Sequence, residues 1–562
     1  MDYRWIFPDP HRRESAYGLA KEMSIPFFVA QLLVGKGFEQ LGQIEQFLNP
    51  RLQSLGDPFE LEELQVAVAR LDLALRNRQR IVLYGDYDVD GVSSLALMAR
   101  VLRAYGGDVR CFLPMRMEEG YGLSEAGMDR CFSEFDPELL VAIDCGTNAL
   151  SQIAEAKRRG VDVLVLDHHE SDGIRPDCFA IVNPKMQGKY TYLCSAGVVF
   201  KVCHGLLKYS PTDKIDLRDY LDLVALATLA DLVPVIEENR TLVHYGLRRM
   251  ASTRWCGLAA LMDVSGVRPP VRAGDVGFRL GPRINAAGRL TNAHLALELL
   301  LTDHSSRART IATELDVQNR ERQGLERMVA QDAQERVESE FGEEVPTSIV
   351  VGAKDWHPGV VGIVASRLCR RWHRPALVVG FDENGMGKGS GRSIPGFSLV
   401  EALSQCNDLL DAFGGHEMAV GLSIREENFE RFAQQFREKS DAMTDADMLV
   451  SPIRLDAEIP LEKVDFEMLE AQEMLEPFGM DNSQPVFVSR AVVPVAEPKV
   501  LKEKHLRFDF DVDGRKVSAI YFHGAERELP EAPWDLAFRV ERNEYHGVTS
   551  AQIHVVAIRS SE

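Results

Sequence analysis

Three acidic residues alternate in GDYDVDG, Asp86, Asp88 and Asp90, directly after the apolar run 81–83. On an extended backbone such alternating side chains share one face. Three carboxylates this close repel one another and call for a cation. DxDxDG alone fits a calcium loop or a solvated turn equally well. Here VSSLALMA starts a helix at once, and no acidic residue stands where a calcium loop would close. The small residues Gly91, Ser93 and Ser94 would let backbone amides at that helix start approach a phosphate.

The same kind of residue recurs at two later apolar runs. Asp144 ends LLVAIDCG, and Asp167, His168 and His169 end VDVLVLDHH. Singly, an aspartate at a strand end is an ordinary helix cap and a His-His pair is incidental. Three consecutive strand ends carrying such groups are not an accident of composition. Adjacent histidines alternate in direction, so one can ligate metal while the other faces substrate or a supporting partner. Asp231 lies in the apolar segment ATLADLVPV, where a buried carboxylate without a partner would be costly. It reads either as a helix-end cap or as a further ligand. Oxygen-rich ligation with imidazole suits Mn²⁺ or Mg²⁺ better than a thiolate-bound zinc. Two such ions about 4 Å apart activate water and stabilise both oxygens of an in-line phosphoryl displacement. Hydrolysis of a phosphoester is the chemistry this pattern predicts.

The elements that must position these groups follow from hydrophobic rhythm. RIVLYGD, DVRCFLP, LLVAIDCG and VDVLVLDHH are short apolar runs separated by the helical stretches SSLALMARVLRAYGG and ALSQIAEAKRRG. Such alternation predicts a parallel sheet covered by helices, with the site at the carboxyl ends of its strands. A helix is expected over 217–235, and a long amphipathic one over 305–340, free of proline, as a rigid connector. TSIVVGAKDW, ALVVGFD and GMGKGSGRSIPGF predict a second α/β domain, and the alternating segments of 449–559 a small antiparallel barrel of oligonucleotide-binding type. A chain of 562 residues needs several such cores.

Composition narrows the class. No apolar run approaches the ~20 residues that cross a bilayer. The start lacks the basic-then-apolar order of a secretory signal, and nine cysteines are scattered without CxxC pairs. A cytoplasmic protein with no membrane association is expected, without a disulfide scaffold or structural zinc. The net charge of −21 argues against a generally polyanion-binding surface. Basic residues near the motifs, Arg279, Arg283, Arg289, Arg320, Arg322, Lys388 and Arg392, are expected to form a local basic channel in an acidic body.

GDYDVDG, AIDCGT, LDHHE and ATLADLVP, followed by WHPGVVGIVASRL, GSGRS and FGGHEMAVGL, resemble in order the motifs of the DHH phosphoesterases. Within them the chain is similar to the RecJ type of single-strand-specific 5′ to 3′ exonucleases over nearly its whole length. The resemblance implies an α/β multidomain fold. Its parts are an N-terminal cap segment (1–75), a DHH parallel-sheet catalytic domain (76–304), a connecting helix (305–342), an α/β DHHA1 substrate-binding domain (343–447) and an OB-like β-barrel (448–562). It implies that Asp86, Asp88, Asp90, Asp144, His168, His169 and Asp231 form the metal and catalytic set for two ions, Mn²⁺ or Mg²⁺, with Asp167 beside them. Tyr84 stands where some members carry histidine, which would leave one ion with one fewer protein ligand.

GPRINAAGRL also looks like an element of this family, and Arg283, Asn285 and Arg289 are then expected on the nucleic-acid backbone. In GSGRSIPG and FGGHE, Ser390, Arg392, Ser393, Gly414, Gly415 and His416 are expected to hold the 5′-terminal phosphate or nucleotide: glycines let amides approach an anion and arginine offers bidentate contact. Of the C-terminal aromatics, some of Phe508, Phe510, Tyr521, Phe522 and Phe538 would stack on unpaired bases. The expected partners are single-stranded DNA, a helicase and a single-stranded-DNA-binding protein, the enzyme itself being a monomer active in recombination and repair. Two other readings stay open on sequence: a phosphodiesterase of short oligonucleotides or cyclic dinucleotides, and an inactive nucleic-acid-binding scaffold. The long C-terminal half speaks against the first, and the full set of acidic and histidine motifs against the second.

Overall fold

The computed structural model describes residues 3–115, 119–120, 122–290, 293–342, 344–545 and 548–561. The chain forms two compact units. One comprises Pro50–Leu325 with Pro477–Ser483, the other Met1–Asn49, Glu326–Glu476 and Gln484–Glu562.

The unit containing the acidic motifs is built on a five-stranded parallel sheet. Its order is Asp108–Phe112, Arg80–Gly85, Leu139–Ile143, Asp162–Leu166 and Ala180–Val182. Both faces are covered, which is why these strands read as unbroken apolar runs. Ile81 and Leu83 join a core with the helices Leu64–Arg76, Val89–Ala104, Ser195–Tyr209 and Leu221–Ala230. Val82 and Tyr84 point the other way, into a core with the helices Glu125–Phe135 and Leu150–Arg158. The first strand lies between the second and third, so the connections leave it in opposite directions. This switch point opens a crevice at the carboxyl edge, and Asp86 and Asp144 follow the two strands that flank it.

Two close approaches fix the frame. Asp88 caps the helix Val89–Ala104, accepting from the amides of Asp90 (2.9 Å) and Gly91 (3.1 Å). A Cβ on Gly91 would lie 2.4 Å from the Asp86 carbonyl oxygen, so only glycine lets the helix begin this close to the strand end. On the helix Glu237–Met250, a Cβ on Gly246 would lie 2.3 Å from the Leu221 carbonyl oxygen and 2.4 Å from Ala225 Cβ. That contact seats the helix Leu221–Ala230, whose end delivers Asp231. The expected long helix runs over Ser305–Phe341.

In the other unit, a five-stranded sheet has the order Ala412–His416, Ala419–Arg425, Met386–Arg392, Ala376–Phe381 and Ile349–Lys354, with only the last pair parallel. The C-terminal region is an OB-like sheet of seven strands rather than a closed barrel among the described residues. Its end strands, Ala457–Glu458 and Lys499–Leu501, have two and three residues, too few to wrap round and pair with one another. Of the five aromatics, some expected to stack on bases and the others to fill the core, Phe508, Phe510, Tyr521 and Phe538 are buried and Phe522 is exposed. The alternation in HLRFDFDV explains this, since it turns both phenylalanines to the same inner face. Among the described residues no helix is long and apolar enough to cross a membrane.

If the Gly246 contact holds the helix that carries Asp231, Gly246→Ala lowers stability to urea by about 1–3 kcal/mol through overpacking. Gly324→Ala, at a helical site with nothing within 4 Å, raises it by about 0.5–1 kcal/mol. An unchanged midpoint for Gly246→Ala would show that the two helices do not need this approach.

Candidate metal centre

The acidic motifs converge at the carboxyl edge of the parallel sheet. His168 Nε2 lies 3.4 Å from Asp144 Oδ1, 3.6 Å from Asp231 Oδ2 and 3.8 Å from Asp90 Oδ2. Three overlapping donor groups result, Asp90–His168–Asp231, Asp86–Asp88–Asp144 and Asp144–His168–His169, with ligand atoms in each within 4.8 Å of one another. Asp144 adopts left-handed backbone (φ 63°), an uncommon conformation for a side-chain-bearing residue.

Supporting groups hold these carboxylates from behind. Asp90 accepts from the amides of Ser195 (2.7 Å) and Ala196 (2.8 Å) at the start of the helix Ser195–Tyr209, where the positive end of the helix dipole offsets its charge. Ser195 Oγ donates to Asp144 Oδ1 at 2.9 Å. Asp167 points away from the cluster of ligands. Its Oδ1 accepts from the amides of His168 and His169 and pairs with His169 Nδ1 at 2.7 Å, while Oδ2 accepts from Thr147. Asn183 completes the support by donating to Thr147 Oγ1 and to the His169 carbonyl. Tyr84 does not reach the cluster. It packs on Phe112 on the far side of the sheet and donates to the Gly122 carbonyl at 3.0 Å.

Burial and mutual repulsion dominate the electrostatics. Burial raises Asp90 above the ordinary carboxylate range, with Asp88 adding repulsion. Burial together with Asp90, Asp88 and Asp86 pushes Asp144 well up. Asp231 rises to about 8 through burial and the charges of Asp90 and Asp88. Burial lowers His168 to about 4, leaving it neutral with a lone pair to offer. Burial acts against a charge on His169 too, but Asp167 outweighs it and lifts His169 to about 9. For Asp167 itself, burial is overcome by His169 and Thr147, and the carboxyl falls well below its usual range. Asp231 Oδ2 and His168 Nδ1 are buried with no hydrogen-bond partner among the described residues. Oxygen-rich donors with imidazole, clustered carboxylates and an orphaned carboxylate oxygen fit divalent cations such as Mn²⁺ or Mg²⁺.

Asn285 lies beside this centre, but its Oδ1 accepts from the Val89 amide at 3.1 Å, tying the GPRINAAGRL segment to the first acidic motif. Arg283 pairs with Asp316 at 2.8 Å, Arg320 binds the same carboxylate, and Arg279 pairs with Asp275 at 3.2 Å. Arg322 is buried and donates to Asn319. Three of the seven basic residues expected in the channel, Arg279, Arg283 and Arg320, are thus paired with two carboxylates. Arg289 lies in the same helix as Arg283 and Asn285, Gly281–Leu290.

In the other unit Arg392 is half-buried, its Nη1 donating to Ser390 Oγ and the Gly391 carbonyl. Burial lowers its pKa against a smaller opposing effect of Cys369, and no carboxylate among the described residues pairs with it. Gly362, on the helix Pro358–Trp372, sits over Ser390 and Arg392. Arg392, Ala419 and His416 lie in register across three strands, as do Ser390, Gly421 and Gly414, which puts His416 about 10 Å from Arg392. Gly415 has φ 137° and no room for a Cβ. Ser393 turns inward, its hydroxyl donating to the Phe397 carbonyl at 2.7 Å.

Ser195, Ala196, Thr147 and Asn183 were not evident as site residues from their spacing. The one signal for Ser195 and Ala196 is the small-residue start of an apolar helix, CSAGVVF.

Family models place a DHH family N-terminal domain over residues 80–228, a DHHA1 domain over 346–440 and a RecJ OB domain over 455–557. The single-stranded-DNA-specific exonuclease RecJ of Bacillus subtilis is 35% identical over 100% of this chain and 71% of its own length. The chain belongs to the RecJ family. The crystal structure of RecJ in complex with Mn²⁺ from Thermus thermophilus superposes with a TM-score of 0.84 at 30% identity, covering 100% of this chain and 80% of that one. The Mg²⁺ complex from the same organism gives 0.79 at 29% identity, covering 100% and 79%. RecJ family members are thus solved with both ions that the donor set favours.

Because Asp231 ionises near 3.9 in an unfolded chain and near 8 here, the folded protein holds this proton more tightly. Its contribution to stability is complete below about pH 4 and is lost as pH rises towards 8. A divalent cation must displace the proton. Titration calorimetry with Mg²⁺ in buffers of different ionisation enthalpy should therefore show proton release at pH 6.5 that shrinks by pH 8.5. No release at either pH would contradict the assignment of Asp231 to the cation site.

Proposed function

We propose that this chain is a metal-dependent exonuclease that hydrolyses phosphodiester bonds from the 5′ end of single-stranded DNA, in recombination and repair. The observation that carries the reading is the buried set of carboxylates, raised in pKa by burial and by their own crowding, gathered around a neutral His168. Asp86, Asp88, Asp90, Asp144, His168 and Asp231 would hold two divalent ions, which supply activated water and neutralise charge on the scissile phosphate. Ser195 and Ala196 keep the Asp90 and Asp144 carboxylates oriented. Asp167 fixes His169 Nδ1, so His169 has only Nε2 to offer an ion or a phosphate oxygen.

Polarity is assigned to the Arg392 site. A half-buried guanidinium without a carboxylate, beside Ser390 and with Gly414, Gly415 and His416 on neighbouring strands, suits a terminal 5′-phosphate. Arg283, Asn285 and Arg289 belong to the segment bonded to the first acidic motif and are proposed to steer the strand towards it. An enzyme that needs an unpaired end depends on strand separation. We therefore place it in the cytoplasm as a monomer working with a helicase and a single-stranded-DNA-binding protein.

On labelled single strands with Mn²⁺, wild type should release nucleotides from the 5′ end, and Asp144→Ala should lose about 10²–10³-fold or more in kcat. Arg392→Ala should lose the preference for 5′-phosphate over 5′-hydroxyl while still binding Mn²⁺. Cleavage of dinucleotides alone, or an end preference unchanged in Arg392→Ala, would overturn the reading.

A further inference from the structure

The helix Leu221–Ala230 is capped by Asp231, and the next residue, Leu232, has left-handed backbone with φ 60°. Glycine or asparagine is the usual occupant of this position, because a side chain there crowds its own backbone. Every other non-glycine residue with positive φ among the described residues is polar, charged or aromatic except Ala491, which makes Leu232 the one branched aliphatic in that conformation. Nor does the fold use its side chain. Leu232 is 71% exposed, while the following Val233 turns inward against Cys194, Ala196 and Ala227. Backbone strain and exposure of a large apolar group coincide one residue from a proposed metal ligand, with Cα atoms about 3.8 Å apart. The neighbouring surface is apolar too. Pro234 bridges to Met480, the Val235 amide donates to the Met480 carbonyl at 2.8 Å, and Met480 is 54% exposed.

We propose that Leu232, two residues before the Pro234–Met480 bridge, packs against the nucleobase of the nucleotide whose phosphodiester lies over the Asp90–His168–Asp231 cluster. This rests on the exonuclease reading and deepens it. An unpaired nucleotide presents an apolar base face beside its charged phosphate, and the protein presents an apolar side chain beside its ligating carboxylate. Such contact is indifferent to base identity, since every base has such a face. It requires the base to be free of its stack and orients the backbone before hydrolysis.

The test compares wild type, Leu232→Gly, Leu232→Asn and Leu232→Met on 5′-phosphorylated single strands, either intact or abasic at the two 5′-terminal nucleotides. Wild type should show a KM about tenfold higher on the abasic strand, as expected for losing part of a buried leucine contact. Leu232→Gly and Leu232→Asn should show the raised KM on both strands and no longer distinguish them, whereas Leu232→Met stays near wild type. Mn²⁺ affinity should be unchanged, and the thermal midpoints of Leu232→Gly and Leu232→Asn should equal or exceed that of wild type. Wild-type KM and discrimination in Leu232→Asn, or no discrimination by wild type, would overturn the proposal, as would a lowered midpoint in Leu232→Gly. Digestion of the intact strand by wild type, the reference in every comparison, tests the exonuclease reading separately.

Discussion

Repulsion among carboxylates buried at one sheet edge is the constraint around which the rest of this structure is arranged. Asp90 and Asp144 are almost wholly inaccessible, and their neighbours are other aspartates rather than lysines or arginines. Charges so placed are tolerated only if they take up protons, receive hydrogen bonds or gain a cation. The protein supplies hydrogen bonds to them through Ser195, Ala196, Ser94 and the amides that Asp88 caps. The remaining repulsion is left for divalent ions to offset.

The fold serves that arrangement at each level. A parallel sheet collects the ends of non-consecutive strands at one edge, and a switch in strand order opens the space between two of them. Two helix starts and one helix end then converge there, each brought in by small residues: Gly91 against Asp86, Ser195 against Asp90, and Gly246 behind the helix that ends at Asp231. Asp167 plays a different part from the other aspartates. By pairing with His169 and accepting from both histidine amides it stays ionised, while burial keeps His168 neutral against the pull of Asp90 and Asp167.

Much of this was legible in the sequence. Apolar runs that each end in acidic or histidine groups specify both the sheet and its functional edge, although the three motif aspartates do not alternate along a strand as expected: the strand ends at Gly85, Asp88 caps the next helix and Asp90 lies in its first turn. What escaped were contacts between distant segments. Ser195 and Asn183 are ordinary polar residues until the sheet brings them behind Asp144 and Thr147. The bond from the Val89 amide to the Asn285 carboxamide oxygen, which ties its segment to the first acidic motif, is a second contact that spacing did not reveal. Of the arginines expected to make a basic channel, Arg279 and Arg320 meet acids four residues away on their own chain segments, Asp275 and Asp316, and only the pairing of Arg283 with Asp316 needed the fold. In the C-terminal sheet the aromatics were expected to divide between stacking and core, and inward alternation leaves Phe522 alone of the five exposed.

If this edge holds two cations by its own residues, anomalous scattering at the manganese edge from Mn²⁺-soaked crystals tests that most directly. Two peaks are expected, one among Asp90, His168 and Asp231 and a second among Asp86, Asp88 and Asp144. A single peak, or density away from these carboxylates, would contradict it.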